Sequence, residues 1–132
     1  MNKQEYLQKL DELALDKNKY CIISGGVMLI LGLRDKTSDI DIKVTLDYFE
    51  ELQSRFTFKK SPKYDYLYEL SDEVEVAVQD FTKESIEYVD GYPINKIENE
   101  LAWKIKNNRE KDKPDIERIK KYLRRRELKW IK

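Results

Sequence analysis

Two aspartates, Asp39 and Asp41, stand at alternate positions in the run SDIDIKV, residues 38–44. Alternate residues of a strand point to the same side, with Cα atoms roughly 6.5 to 7 Å apart, so both carboxylates can reach one divalent cation or a closely spaced pair. Without a cation the arrangement is costly, because aspartate forms strands poorly and like charges on one face repel. All-oxygen donors with room for water suit magnesium, or manganese, and such ions hold nucleotide phosphates. Upstream, Ser24, Gly25 and Gly26 close a short apolar run. Glycine lets a backbone approach a triphosphate, and a following helix start offers unpaired N–H groups to an anion. Taken singly, the aspartates beside Lys43 read more readily as a solvated strand face, and the diglycine as a plain turn. Their order, diglycine, one helix, then the aspartate pair, favours a phosphate and cation site.

The rest of the composition narrows the chemistry. The 132 residues include no histidine and a single cysteine, Cys21, set in an apolar run. That excludes the Ser/His/Asp and Cys/His nucleophilic systems, the usual zinc sets and an internal disulfide. Carboxylates, lysine and a hard cation are left to carry any catalysis. The 26 basic and 26 acidic side chains cancel. Residues 1–103 nevertheless hold 13 basic and 21 acidic groups, and residues 104–132 hold 13 and 5, a body of −8 against a tail of +8. An acidic body suits a cation and a basic tail a polyanion. Residues 1–16 are charged throughout, and no apolar stretch approaches the roughly 20 residues that span a bilayer, so a soluble cytoplasmic protein without membrane contact is expected.

The elements that must position these residues follow from periodicity. Tyr6, Leu7, Leu10, Leu13 and Ala14 predict a helix ending near Lys17. Residues 20–24 read as a short buried strand, Val27 to Leu33 as a short helix, and residues 38–44 as a half-buried strand with Ile40, Ile42 and Val44 inward. Thr45 caps a helix to about Arg55. Strands are expected over 64–70 and 74–81, the latter with Val74, Val76 and Val78 on one face and Glu75, Ala77 and Gln79 on the other. Residues 82–97 yield only a turn at Gly91. Helices are expected over 98–108 and from Pro114 onward, the last fraying into RRRELKWIK. The length fits one domain, residues 1–132, of α+β (α/β) class: a mixed sheet flanked by helices, with a helical segment from about residue 98.

The segment SGG, a short helix and RDKTSDIDI resembles the signature of the nucleotidyltransferase superfamily, the polymerase-β-like fold. Further on, ELAWKIKNNREKDKPDIERIKKYL resembles the corresponding segment of abortive-infection and type IV toxin-antitoxin nucleotidyltransferases. The two bracket residues 24–123. The resemblance implies a minimal nucleotidyltransferase fold in which Gly25 and Gly26 contact the triphosphate and Asp39 and Asp41 hold magnesium or manganese. Ser24 precedes the glycines, whereas many relatives place serine after the first. Arg34 and Thr37 lie close enough in sequence to contact phosphate or acceptor, or serve only the loop. A third carboxylate, general base and further metal ligand, falls to Glu75, with Asp80 as rival. Lys104, in a largely apolar helical run, reaches the triphosphate or snorkels to water. Asp115 joins the site, while Asp112 also reads as an N-cap with Asp115 completing a capping box. KKYLRRRELKW offers RNA a basic face with Tyr122 and Trp130 for stacking, or is an ordinary amphipathic helix.

The expected activity is metal-dependent transfer of a nucleotidyl group from a nucleoside triphosphate to an acceptor hydroxyl. The closer resemblance implies RNA (tRNA) or protein as acceptor, a toxin-antitoxin or phage-defence setting, and an antitoxin or a second copy as partner. Two alternatives stand beside it: modification of a small molecule such as an antibiotic, and a non-catalytic module that binds nucleotide or a partner on the same fold.

Overall fold

The structure, a computed structural model, describes residues 1–130 and the backbone alone of Trp130. The reading of Trp130 as a stacking ring therefore lies outside the described residues. The chain forms two compact units, Met1–Asn95 and a second beginning at Lys96.

The first unit is built on a mixed seven-stranded sheet in the order β3-β4-β5-β2-β1-β7-β6. Its strands are β1 (Tyr20–Ile22), β2 (Ile40–Val44), β3 (Lys59–Lys60), β4 (Leu67–Glu69), β5 (Val74–Val78), β6 (Ile86–Val89) and β7 (Tyr92–Asn95), and its helices are α1 (Lys3–Glu12), α2 (Gly25–Ile30) and α3 (Leu46–Leu52). At the centre β2 runs antiparallel to β1 and parallel to β5, with Ile42 opposite Ile22 and Val76. Ile22, Ile40, Ile42, Val44 and Val76 make one buried face of the sheet. Helices pack there: Gly26 of α2 lies against Ile22, and Phe49 of α3 meets Tyr68, the cross-strand partner of Val76, at 4.6 Å between rings. Asp41 and Glu75 necessarily belong to the other face, because successive strand residues alternate.

Several boundaries differ from expectation, each for a local reason. Helix α1 starts on a capping box, with Asn2 and Glu5 each bonding the other's backbone N–H, and stops at Glu12 rather than near Lys17. The Arg55 guanidinium donates to the carbonyls of Leu13 and Ala14, Ala14 turns to φ +51°, and Asp16 closes a turn onto the Asn18 N–H. Helix α2 begins at Gly25, two residues before its apolar run. The strand expected over 38–44 covers Ile40–Val44 alone, so Asp39 stands just ahead of it. Residues 82–97, legible only as a turn, form the hairpin β6–β7, whose two-residue turn at Asp90 and Gly91 takes φ of +52° and +84° as the twist of paired strands requires. Strand β3, two exposed lysines, has no apolar alternation to betray it.

The second unit holds α4 (Ile97–Asn107), closed by Asn108 at φ +48°, and α5 (Lys113–Trp130), joined by one 3₁₀ turn over Glu110–Asp112. Helix α5 continues unbroken through RRRELKW instead of fraying. Among the described residues no helix is long and apolar enough to cross a membrane.

Candidate functional site

The expected site residues of the first unit come together around the open end of β1. The Ile23 N–H donates to the Asp41 carbonyl at 3.0 Å, which fixes the turn leaving β1 beside the strand that carries Asp41. Ser24 makes that turn at φ +59°, ψ −133°, a conformation that L-residues avoid. Such a residue costs about 1 to 3 kcal/mol and persists only where its surroundings impose it. Gly25 follows, and a side chain there would meet Thr37 Oγ1 at 2.5 Å and an Arg34 guanidinium nitrogen at 2.9 Å. Arg34 and Thr37 thus lie directly against Gly25, and the absent side chain is what admits them. Gly26 is closed off differently: a Cβ would strike the Tyr6 hydroxyl and come within 2.7 Å of the Tyr6 ring and of Ile22. Gly25 faces the Arg34–Thr37 loop, whereas Gly26 is a packing glycine.

On the sheet's other face, Asp41 lies in register with Glu75, and Glu75 with Glu69 on its far side. Neighbouring strands are about 4.8 Å apart, so three carboxylates stand in a row across β2, β5 and β4. Asp39 precedes the row by two residues and accepts a bond from the Ser38 hydroxyl at 3.2 Å. Like charges in register destabilise a sheet unless something neutralises them. Lys63 does so in part, its Nζ 3.7 Å from Glu75. Among the described residues no three acidic or thiol side chains are already gathered as a metal cage. The donors of this row are all hard oxygens on half-buried side chains, a set that fits magnesium or manganese, with Asp39, Asp41 and Glu75 as the groups that would hold it. Asp80 stands two residues beyond the far end of β5, roughly 16 Å along the chain from Glu75, and is exposed. Glu69 escaped sequence reasoning. Its signal was the alternation Leu67, Glu69, which matches Ala77, Glu75 only once the pairing is known.

The candidates of the second unit have a different environment. Lys104 is buried, with Nζ 3.2 Å from Asp112 and 3.6 Å from Asp115. Arg109 Nε donates to the other Asp112 oxygen at 2.6 Å, and Arg118 meets Asp115 at 3.3 Å. Burial pushes the Asp112 carboxyl up, but the Arg109 hydrogen bond and the Lys104 charge outweigh it and hold it below the usual carboxylate range. Lys104 therefore neither snorkels nor stands as an unpaired charge. Asp112 directly precedes α5 as an N-cap would, and its carboxylate receives Lys104 and Arg109. Tyr122 is half-buried with Arg126 over its ring at 5.7 Å, and Arg126 is also tied to Glu98 at 2.6 Å.

No protein-family model matches the chain, and no curated protein matches it. Among solved structures, that of ANT(2″)-Ia in complex with adenylyl-2″-tobramycin is similar over 78% of this chain and 74% of that one, with 19% identity and a TM-score of 0.47. A likeness at that level carries no weight for activity, and the reading of the site rests on the chain's own geometry.

Proposed function

We propose that the protein is a divalent-cation-dependent nucleotidyltransferase acting at the face of β2 and β5. The observation that carries this reading is the register of Asp41 with Glu75, beside a strained turn at Ser24 that opens onto Gly25, Arg34 and Thr37. A cation shared by the two carboxylates would add neutralising charge and make that register a phosphate-binding surface.

In the proposed reaction an acceptor hydroxyl attacks the α-phosphorus of a nucleoside triphosphate. The new P–O bond forms as the bond to the β-phosphate breaks, pyrophosphate leaves, and the hydroxyl proton passes to Glu75 as general base. Arg34 and the backbone at Gly25 hold phosphate oxygens, and Thr37 orients the nearer of them. A divalent cation bound by Asp39, Asp41 and Glu75 supplies charge neutralisation at the phosphates. Lys104, with Asp112 and Asp115, serves the proposal as a positioning cluster that locks α4 to α5. RNA (tRNA) or protein as acceptor, and a toxin-antitoxin setting, follow from the resemblance of residues 100–123 alone.

The test is incorporation of label from each α-labelled nucleoside triphosphate, with magnesium, into RNA, protein and small molecules of a bacterial extract. The Asp39→Asn/Asp41→Asn double variant is the blank. Label that appears with the wild type only, in one fraction, supports transfer and names its acceptor. Label in neither, together with a nucleotide-dependent rise in melting temperature, leaves a binding module on this fold.

A further inference from the structure

Within the acidic part of the chain, residues 59–66, KKSPKYDY, hold three lysines, two tyrosines and a single aspartate. The rings of Tyr64 and Tyr66 stack, 5.3 Å between centroids and 18° from parallel. Tyr66 is half-buried; stacking covers one face of the Tyr64 ring, yet 50% of Tyr64 stays open to water. The loop that carries the pair is tied down at both ends. Ser61 is buried, its N–H donates to the Leu67 carbonyl at 2.9 Å, and its hydroxyl accepts from the Lys63 N–H at 3.2 Å. The Leu67 N–H returns to the Tyr64 carbonyl at 3.2 Å, and the Val78 N–H of β5 donates to the Tyr66 carbonyl at 2.8 Å. A ring pair held in this way loses little freedom when a ligand stacks on it. The loop also reaches the carboxylate face. Lys63 Nζ lies 3.7 Å from Glu75, and Tyr64 follows Lys63 by one Cα step of about 3.8 Å. Lys59 is in register with Glu69, and Glu69 with Glu75, so the Lys59 side chain leaves the sheet on that same face. In the order of the sheet, the turn after β1 flanks the acidic row on one side and these lysines flank it on the other.

We propose that Tyr64, Tyr66, Lys59 and Lys63 bind a single-stranded polynucleotide, one base of which continues the tyrosine stack on Tyr64 while the two lysines take its phosphates. Aromatic rings beside basic groups are what sequence-tolerant binding of single strands requires, because every base has a face to stack. Lys59 and Lys63 are exposed, and exposed pairs with carboxylates are worth little, so a phosphate competes for them easily. Two lysines at separate positions favour a strand with successive phosphates over a lone nucleotide, whose triphosphate belongs to the turn on the far side of the row. The strand is the acceptor of the proposed transfer, its hydroxyl brought to Glu75. That role rests on the transfer reading, whereas the binding itself does not.

The experiment follows, by fluorescence anisotropy, the binding of a labelled unstructured RNA of about 12 nucleotides to the full chain, without metal or nucleoside triphosphate, beside an abasic strand of the same length. The wild type should bind the RNA about 5- to 150-fold more tightly than the abasic strand, the worth of one stacked base. Tyr64→Ala should bind both alike, and Tyr64→Trp should restore the difference. Lys59→Gln/Lys63→Gln should weaken both strands and lower the slope of log affinity against log salt by about 1.4. Equal binding of the two strands by the wild type overturns the proposal, whether or not a variant folds. So does a Tyr64→Ala chain that keeps the difference, or one that keeps RNA binding but loses its magnesium-dependent stabilisation by nucleoside triphosphate, which would give the stack to the base of the triphosphate. Base-dependent RNA binding by a chain that transfers no label upholds the stack and overturns the acceptor role. Label on RNA without base-dependent binding upholds transfer and overturns the stack.

Discussion

Gly26 is glycine because Tyr6 and Ile22 occupy the space that its side chain would need. Gly26→Ala should destabilise the fold by about 1 to 3 kcal/mol, as overpacking of a tight core does, read as a fall in urea midpoint at constant slope. Asp41 and Glu75 are coupled the other way. Two like charges in register weaken a sheet, so a cation shared by Asp41 and Glu75 should raise the melting temperature of the wild type and leave that of Asp41→Asn unchanged. The same change should abolish the magnesium-dependent rise in melting temperature with nucleotide. A metal-free variant that melts well below wild type would show instead that Asp41 is structural. Glu75→Gln should slow transfer about 10²- to 10⁴-fold, the ordinary worth of a general base, with a smaller change in nucleotide affinity. The sequence singled out the aspartate pair by its alternate spacing, but it began the strand too early, at Ser38: β2 begins at Ile40, and Asp41 alone of the pair lies within it. Glu69 was not singled out, because its place in the row depends on which strand lies beside β5.

At the scale of elements, α4 and α5 are held by ionic groups that a helix-pair core would ordinarily exclude. Lys104, Asp112 and Asp115 are each about 95% or more buried in their side chains. Removing one member of such a set leaves uncompensated charge, which costs about 3 to 5 kcal/mol. Lys104→Met should therefore unfold the second unit at lower denaturant, and far-ultraviolet circular dichroism should report the loss of helix. The sign of the pH effect follows from Asp112, whose folded carboxyl lies below the ordinary range. Its stabilisation is complete above the unfolded value of about 3.9 and is lost as pH falls through the lower folded value. Melting curves between pH 5 and pH 2 should show the wild type losing more stability than Asp112→Asn. Both helices were legible from periodicity and from the Pro114 signal. The pairing of Lys104 was not: a lysine beside Trp103 and Ile105 reads alike as phosphate ligand, snorkelling cation or ion-pair hub until a turn brings Asp112 and Asp115 to it.

Across the whole molecule the charges cancel, yet they divide into an acidic stretch of −8 and a basic one of +8. Zero net charge removes the mutual repulsion that keeps proteins apart, and the segregation lets the basic stretch of one copy attract the acidic stretch of another. Light scattering should reveal self-association at about 10 mM salt that disappears near 300 mM, as the screening length falls from about 30 Å to well under 10 Å. Association that persists at high salt would point to an apolar interface instead. The basic side chains Lys120, Lys121, Arg124 and Arg125 of α5 are exposed. Replacing Lys120, Arg124 and Arg125 by Gln should lower that association while changing stability by less than about 0.5 kcal/mol per substitution.

The chain's local order was enough to expect hard-cation phosphate chemistry and to place most of the local elements. The absence of histidine, the alternate spacing of the two aspartates, the diglycine that opens α2 and the valine alternation of β5 are all properties of composition or of neighbours in the chain, where periodicity and backbone sterics act. Whatever depends on pairing between distant segments came from the folded chain. It set Glu75 rather than Asp80 beside Asp41, gave Gly26 to Tyr6, and committed Lys104 to two aspartates. Register and burial are set by contacts many residues apart, and no local propensity carries them.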